Sequence, residues 1–123
     1  MTATKRIDID DPKVDTDGGG NLSYDGRPFT GEVAEYVGES LISLDEYAEG
    51  VRHGKDQEWY PDGTLRSAGQ SKNGRPTGTS KEWHPNGTIA TEKVFSEDGL
   101  TLLSDRTWDE SGHLTREWKK NPD

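Results

Sequence analysis

A glycine recurs in this chain at an almost constant spacing, and this regularity limits the possible folds more than any single residue does. The intervals between the repeated glycines are 24, 24 and 25 residues, and an aromatic residue and then an aliphatic one follow each glycine. Self-similarity at such a period indicates an array of similar structural units. The glycines are Gly26, Gly50, Gly74 and Gly99, the aromatics Tyr36, Trp59, Trp83 and Trp108, and the aliphatics Ile42, Leu65, Ile89 and Leu114.

Composition taken alone favours disorder, and the repeat argues against it. Leu, Ile, Val and Phe total 19 of the 123 residues, and the formal net charge is −9. Few aliphatic residues and a high net charge are typical of disordered chains. Four Trp and four Tyr nevertheless supply large apolar surfaces. We therefore expect a thin folded sheet, which needs a smaller core than a compact globule.

Two central units contain turns that the sequence identifies directly. Pro61-Asp62-Gly63 and Pro85-Asn86-Gly87 lie between β-prone runs, and Pro, Asp or Asn, and Gly each suit one position of a hairpin turn. A three-residue turn of this kind places Trp59 opposite Leu65 on the paired strand. The same register predicts three further pairs and a stacked repeat core on one face of the sheet: Trp83 with Ile89, Trp108 with Leu114, and Tyr36 with Ile42.

The predicted fold is all-β, an elongated single-sheet meander of about four antiparallel β-hairpin repeats of 24 residues each. The repeat domain spans residues 22–123. Residues 1–21 are rich in Asp and end in Gly18-Gly19-Gly20, so we expect a flexible arm with at most one short edge strand. A meander has two open edges, and homo-oligomerisation through an edge is compatible with this fold.

Acidic residues recur at equivalent positions of the units and are expected to line one face. Successive members, such as Glu58 and Glu82, should lie roughly 10 Å apart because two strands separate them. That separation exceeds the ~5 Å of a retaining glycosidase pair and the ~6.5–9.5 Å of an inverting pair. The face is therefore either a solvated surface or a stripe that binds a basic partner. The candidate partner-binding residues are Glu35, Glu58, Tyr60, Glu82, His84 and Asp109.

Other chemistries find no support in the sequence. The chain has no Cys, which excludes disulfides and thiolate metal sites. His53, His84 and His113 lie about thirty residues apart at different places in the units, so we expect no metal site. Nucleophile, phosphate-loop and dinucleotide motifs are missing too, so we expect neither an enzyme nor a cofactor. No apolar run resembles a signal peptide or a membrane span, and the acidic balance disfavours nucleic acid. The expectation is a cytoplasmic protein.

Two segments resemble a known family. Tyr24-Asp25-Gly26-Arg27-Pro28-Phe29-Thr30-Gly31 is similar to the opening unit of the MORN-repeat-variant proteins of bacteria. The pattern Asn-Gly-x-x-x-Gly…Glu-Trp-x-Pro-Asn-Gly-x-Ile in residues 73–89 resembles their internal repeats. The resemblance covers roughly residues 22–118. Many such proteins are described as YwqK-type antitoxins or as immunity proteins encoded beside polymorphic toxins, so the resemblance implies that this protein neutralises a cognate toxin by direct binding.

Three functional hypotheses follow. In the first, the protein is an antitoxin whose acidic face binds a basic toxin, such as a nuclease or a deaminase, with electrostatic steering of the encounter. In the second, it is a MORN-type scaffold that binds another protein or a lipid head group. In the third, its regular aromatic side chains stack against a carbohydrate. Salt dependence of protein capture, vesicle binding and Trp fluorescence with polysaccharide separate the three.

Overall fold

The computed structural model describes residues 5–121 and confirms the all-β prediction. Every regular element in this range is a strand, and the described residues contain no helix of the length and apolarity that a membrane crossing requires. The strands are β1 (Arg6–Asp8), β2 (Val14–Thr16), β3 (Leu22–Tyr24), β4 (Arg27–Pro28), β5 (Gly31–Val37), β6 (Ser40–Ala48), β7 (Val51–Trp59), β8 (Leu65–Lys72), β9 (Arg75–Pro76), β10 (Gly78–Trp83), β11 (Ile89–Phe95), β12 (Leu102–Trp108) and β13 (Leu114–Lys119).

Within the described range, ten strands form one large sheet in the order β1-β5-β6-β7-β8-β10-β11-β12-β13, with β9 paired to β8. From β5 to β13 all pairings are antiparallel, which is the predicted meander. A second sheet of three strands, β2-β3-β4, was not predicted. The chain therefore forms a large mixed sheet with a small sheet beside its N-terminal end.

The predicted cross-strand pairs within the units are confirmed in three of four cases. Tyr60 N donates to Thr64 O at 2.8 Å and Gly63 N donates to Tyr60 O at 2.9 Å, which closes a three-residue turn with Gly63 at φ +93°. This geometry is the type I turn plus left-handed residue that such loops favour. Trp59 pairs with Leu65, Trp83 with Ile89 and Trp108 with Leu114, as predicted.

The repeated glycine itself occupies the turn between units. Glu49-Gly50 connects β6 to β7, and both residues have positive φ, +51° and +83°. Two positive φ values in a two-residue loop are what a type I′ hairpin requires. Asp25-Gly26 and Asn73-Gly74 repeat these angles. The last unit has a longer loop, closed by Ser96 N donating to Thr101 O at 2.9 Å, and this extra length accounts for the 25-residue interval.

The predicted pairing of Tyr36 with Ile42 is wrong. Tyr36 pairs with Leu41, and a bulge separates this pair from the pair of Glu35 with Ser43. The cause is the turn, because Gly38-Glu39 is a two-residue loop between Val37 and Ser40. Without the Pro-Asx-Gly sequence of the later units, the first hairpin has a different loop length and hence a different register.

Burial is also distributed differently from the predicted repeat core. Tyr36 and Leu114 are 36% and 50% exposed, and the repeat Trp residues are only half-buried. The small sheet instead packs on the beginning of the large one, and a sheet face becomes fully buried only where a second layer covers it. The buried cluster consists of Ile7, Leu22, Phe29, Val33 and Tyr47, with Ile9, Val14 and Tyr24 packed against it.

The described part of the N-terminal arm differs from the flexible segment predicted for residues 1–21. Strand β1 pairs in parallel with β5, with Ile7 opposite Val33, and Ile7 is buried in the cluster. Strand β2 pairs with β3, and the loop between them is closed by Asp17, whose Oδ1 accepts from Gly19 N and Asn21 N. Residues 5–21 thus contribute to the same core as the repeat domain, whereas residues 1–4 lie outside the described part of the chain.

Candidate functional site

The predicted acidic residues Glu35, Glu58 and Glu82 lie in one row across the sheet. Glu35 faces Ser43, Ser43 faces Glu58, Glu58 faces Ser67, and Ser67 faces Glu82. Residues directly opposite one another share a face of the sheet, so the three carboxylates alternate with two hydroxyls. All three Glu side chains are exposed, and Ser67 Oγ donates to Glu58 Oε1 at 3.1 Å.

A second pair of carboxylates lies next to this row, and together with Glu35 and Glu58 it lines a cleft. Asp45 faces Asp56 across β6 and β7, and Asp56 in turn faces Gly69. Ser71 Oγ donates to Asp56 Oδ2 at 3.2 Å. Small side chains on the neighbouring strands leave a cleft of about 490 Å³, which these two Asp residues line together with Glu35, Glu58, Arg52 and Ser71. We call this surface the acidic cleft.

Arg52 is the one basic residue among residues 5–121 that lines the acidic cleft. Its Nη2 lies 3.4 Å from Asp45 Oδ2, and its Nε donates to Tyr47 Oη at 3.4 Å. Burial raises the pKa of Asp45; Arg52 lowers it, and Asp56, Glu58 and Glu35 add to the raising effect. One guanidinium therefore faces four carboxylates, and the surplus negative charge suits a positively charged group from outside. Among residues 5–121, no group of three or more His or acidic side chains is arranged to hold a metal ion.

Sequence reasoning missed Asp45, Asp56 and Arg52. Asp56 stands two positions before Glu58, so strand alternation could have assigned it to the same face. Arg52 stands four positions before Asp56 and shares its face by the same alternation, and β7 carries two extra residues between the pair of Asp56 with Asp45 and the pair of Arg52 with Tyr47. Gly54, at φ +118°, lies within this irregular stretch of β7.

Tyr60 and His84, predicted as contact residues, connect neighbouring units instead of extending the acidic row. Tyr60 Oη donates to Trp83 O at 2.7 Å, and His84 Nε2 lies 2.8 Å from Trp108 O. A carbonyl oxygen only accepts, so His84 Nε2 carries a proton in this contact. Both side chains are half-buried. Asp109 takes the equivalent place in the last unit and caps its own turn, with Oδ1 accepting from Ser111 N and His113 N.

The negative charge of the protein is concentrated in the half that contains the acidic cleft. Residues 5–63 include 15 acidic and 6 basic side chains, whereas residues 64–121 include 8 acidic and 9 basic ones. Four of the acidic side chains of the first half line the cleft. The field of the molecule is therefore strongly polarised, and a basic partner would be directed to the first half.

Comparison with known families identifies the central units. A MORN repeat variant matches residues 52–73 and residues 76–97, which contain the β7–β8 hairpin and the β10–β11 hairpin. No match was found among curated proteins or among solved structures. The chain thus contains two adjacent MORN-variant repeats, and repeats of this type suggest a scaffold or an interaction module.

Proposed function

We propose that this protein is an immunity protein, or antitoxin, that binds a basic toxin and blocks it by direct occlusion. The observation that carries the proposal is the acidic cleft, in which four carboxylates face a single guanidinium. A nuclease or a deaminase acting on nucleic acid needs a positively charged groove to hold its substrate. A rigid acidic surface can fill such a groove, and no catalytic group is required for this kind of inhibition.

The electrostatics of the cleft support a cationic partner in particular. Asp45 is partly removed from water, and its raised pKa reflects a charge that its surroundings do not fully balance. A Lys or Arg side chain entering the cleft would offset this cost. Glu35, Glu58 and Glu82 extend the same charge across strands β5 to β10, and exposed charges of this kind chiefly raise the rate of encounter.

The proposal is tested first by identifying the partner. The tagged protein is used to capture proteins from its native host over a salt series, and the captured protein is then purified and assayed for toxin activity. We expect stoichiometric recovery of one basic protein, weaker at higher salt, whose activity is inhibited at equimolar amounts. Capture of diverse proteins would favour the scaffold hypothesis, and binding to vesicles would favour the lipid hypothesis, which the net charge disfavours.

Two matched double variants then test the face. Glu58→Lys with Glu82→Lys reverses the acidic row, whereas Glu97→Lys with Glu110→Lys makes the same change of net charge in exposed turns. We expect the first pair to slow association with the toxin about tenfold or more and the second to have a small effect, because steering depends on where the charge lies. Equal association rates for the two variants would place the binding site elsewhere.

A further inference from the structure

The two edges of the large sheet are built differently. At the N-terminal edge, β1 covers β5 through a short parallel pairing. At the C-terminal edge, no strand of residues 5–121 pairs with the outer side of β13. All six residues of β13 are exposed, including Leu114 at 50% and Trp118 at 43%. Within residues 5–121 the large sheet thus ends on the three-residue β1 at one edge and on the six-residue β13 at the other, and we call the β13 side the open edge.

The hydrogen bonds of β13 show which of its backbone groups point outward. Lys120 N donates to Leu103 O of β12 at 2.9 Å. Trp118, two positions before Lys120, pairs with Asp105 of β12. In an antiparallel pair, alternate residues direct both N–H and C=O to the same neighbour. Residues 116, 118 and 120 therefore bond to β12, and the backbone groups of Thr115, Glu117 and Lys119 face outward. Such a row can pair with another strand.

We propose that two copies of this chain pair through β13, antiparallel and about a two-fold axis at Trp118. In this register Trp118 faces Trp118 of the second copy, and Glu117 faces Lys119 of the second copy on both sides of the axis. The outward backbone groups of Glu117 and Lys119 then exchange two hydrogen bonds with each other across each of these two pairs. The interface is isologous, so it closes after two copies.

Side-chain charges select this register. A row of directly paired side chains crosses β10 to β13: Lys81 pairs with Glu92, Glu92 with Arg106, and Arg106 with Glu117. Arg106 contacts Glu92 at 3.9 Å and Glu117 at 2.8 Å. This row alternates in sign and ends on an anion at the open edge. Lys119 of the second copy continues the alternation, and opposite charges facing each other stabilise paired strands.

Other registers of β13 on itself are less favourable. Centring the axis on Arg116, Glu117 or Lys119 places two identical charges directly opposite each other, which destabilises pairing. Centring it on Thr115 leaves Trp118 outside the paired core. In the Trp118 register, Arg116 faces Lys120 of the other copy, a like-charge pair that occurs once at each end of the pairing, and aromatic side chains face each other at its centre.

Two single charge-reversal variants, each made in the full chain, test the pairing. They change the net charge equally, but the proposed register predicts opposite effects on dimer stability. Sedimentation equilibrium should show wild-type protein reaching twice the 13.6 kDa chain mass as concentration rises. Lys119→Glu places Glu opposite Glu117 at two positions, and dimerisation should weaken about tenfold. Lys120→Glu replaces the repulsion with Arg116 by attraction, so its dimer should be at least as stable as that of the wild type. Circular dichroism confirms that each variant is folded.

Three results would overturn the proposal. A wild-type protein that stays monomeric up to millimolar concentration would show that the edge does not pair with itself. Equal weakening by Lys119→Glu and Lys120→Glu would reduce the effect to net charge. Assemblies larger than a dimer would require a surface other than β13. The lining of the acidic cleft reaches no further along the sheet than Ser80 on β10, so pairing through β13 leaves the cleft accessible. The dimer proposal can therefore fail without affecting the antitoxin proposal.

Discussion

At the scale of single residues, the hydroxyl of Tyr60 connects two repeats. It donates to Trp83 O at 2.7 Å from a half-buried position. Tyr60→Phe removes the donor and leaves the ring, so we expect a loss of about 1 kcal/mol in the free energy of unfolding. Urea unfolding measures this loss, with Tyr36→Phe as the control because the Tyr36 ring is exposed. Unchanged stability together with weaker toxin binding would make Tyr60 a contact residue instead.

Asp45 is predicted to give the stability curve a distinctive pH dependence. Its pKa is raised, chiefly by burial, so the folded state keeps a proton that the unfolded state releases just above pH 3.8. The stabilising contribution of Asp45 is therefore fully present below pH 3.8 and is lost as pH rises through the folded pKa. Asp45→Asn removes this ionisation, and the stability of the variant relative to wild type should increase with pH across the same window. Urea unfolding from pH 3 to pH 7 measures the difference.

Asp62→Asn supplies the opposite case. Hydrogen bonds from Thr64, led by its backbone N–H, lower the pKa of Asp62, so this carboxylate adds stability that is present above pH 3.8 and is lost as pH falls through the folded pKa. The stability of Asp62→Asn relative to wild type should therefore decrease as pH rises through that window. If both variants show slopes of the same sign, the assignment of Asp45 as a destabilised carboxylate is wrong.

At the scale of the elements, the turns between units allow backbone strain to be separated from steric contact. Gly26 and Gly50 have nearly the same φ, +82° and +83°. A Cβ at Gly26 meets nothing within 4 Å, whereas a Cβ at Gly50 would lie 2.8 Å from Leu22 O. Gly26→Ala should cost roughly 1–2 kcal/mol for the left-handed conformation alone, and Gly50→Ala should cost clearly more. Equal losses in urea unfolding would mean that the chain shifts to admit the extra methyl group.

The hairpins also show which parts of the fold can be predicted from sequence. Pro61-Asp62-Gly63 determines a loop length by local chemistry, so the pairing of Trp59 with Leu65 follows from a few adjacent residues. The first hairpin lacks such a sequence, and its predicted register was wrong by one residue. The parallel pairing of β1 with β5 depends on the burial of Ile7 against distant residues, and no local pattern reports a contact of that kind.

The candidate site likewise contains some residues that the sequence predicts and others that it does not. Glu35, Glu58 and Glu82 were found because the repeat period carries them to one row, and a period is visible in sequence. Arg52 does not recur at the equivalent position of the next unit, where Pro76 stands, so the period does not identify it. Tyr60 and His84 occupy equivalent positions, but the hydrogen bonds that they make to the next unit depend on how the hairpins stack.

At the scale of the whole molecule, stability should decline along the sheet from its N-terminal end. The buried side chains lie between Ile7 and Tyr47 with Thr77 as the last, and β12 and β13 contain none among the described residues. In a repeat array each unit is stabilised mainly by its neighbours, so the end without a second layer should open locally. We expect amides of β5 and β6 to exchange only through global unfolding and those of β12 and β13 through smaller openings.

Hydrogen exchange followed by NMR measures this gradient residue by residue. At low concentration, where the chain is monomeric, the inward amides of Arg116 and Trp118 should exchange far faster than the amides of β5, because no buried side chains hold β13 in place. The outward amides of Thr115, Glu117 and Lys119 should exchange fastest of all and should become protected only as concentration rises. Uniform protection from β5 to β13 at low concentration would mean that the half-buried Trp59, Trp83 and Trp108 couple all units into one cooperative block, although the buried core lies at the N-terminal end of the sheet.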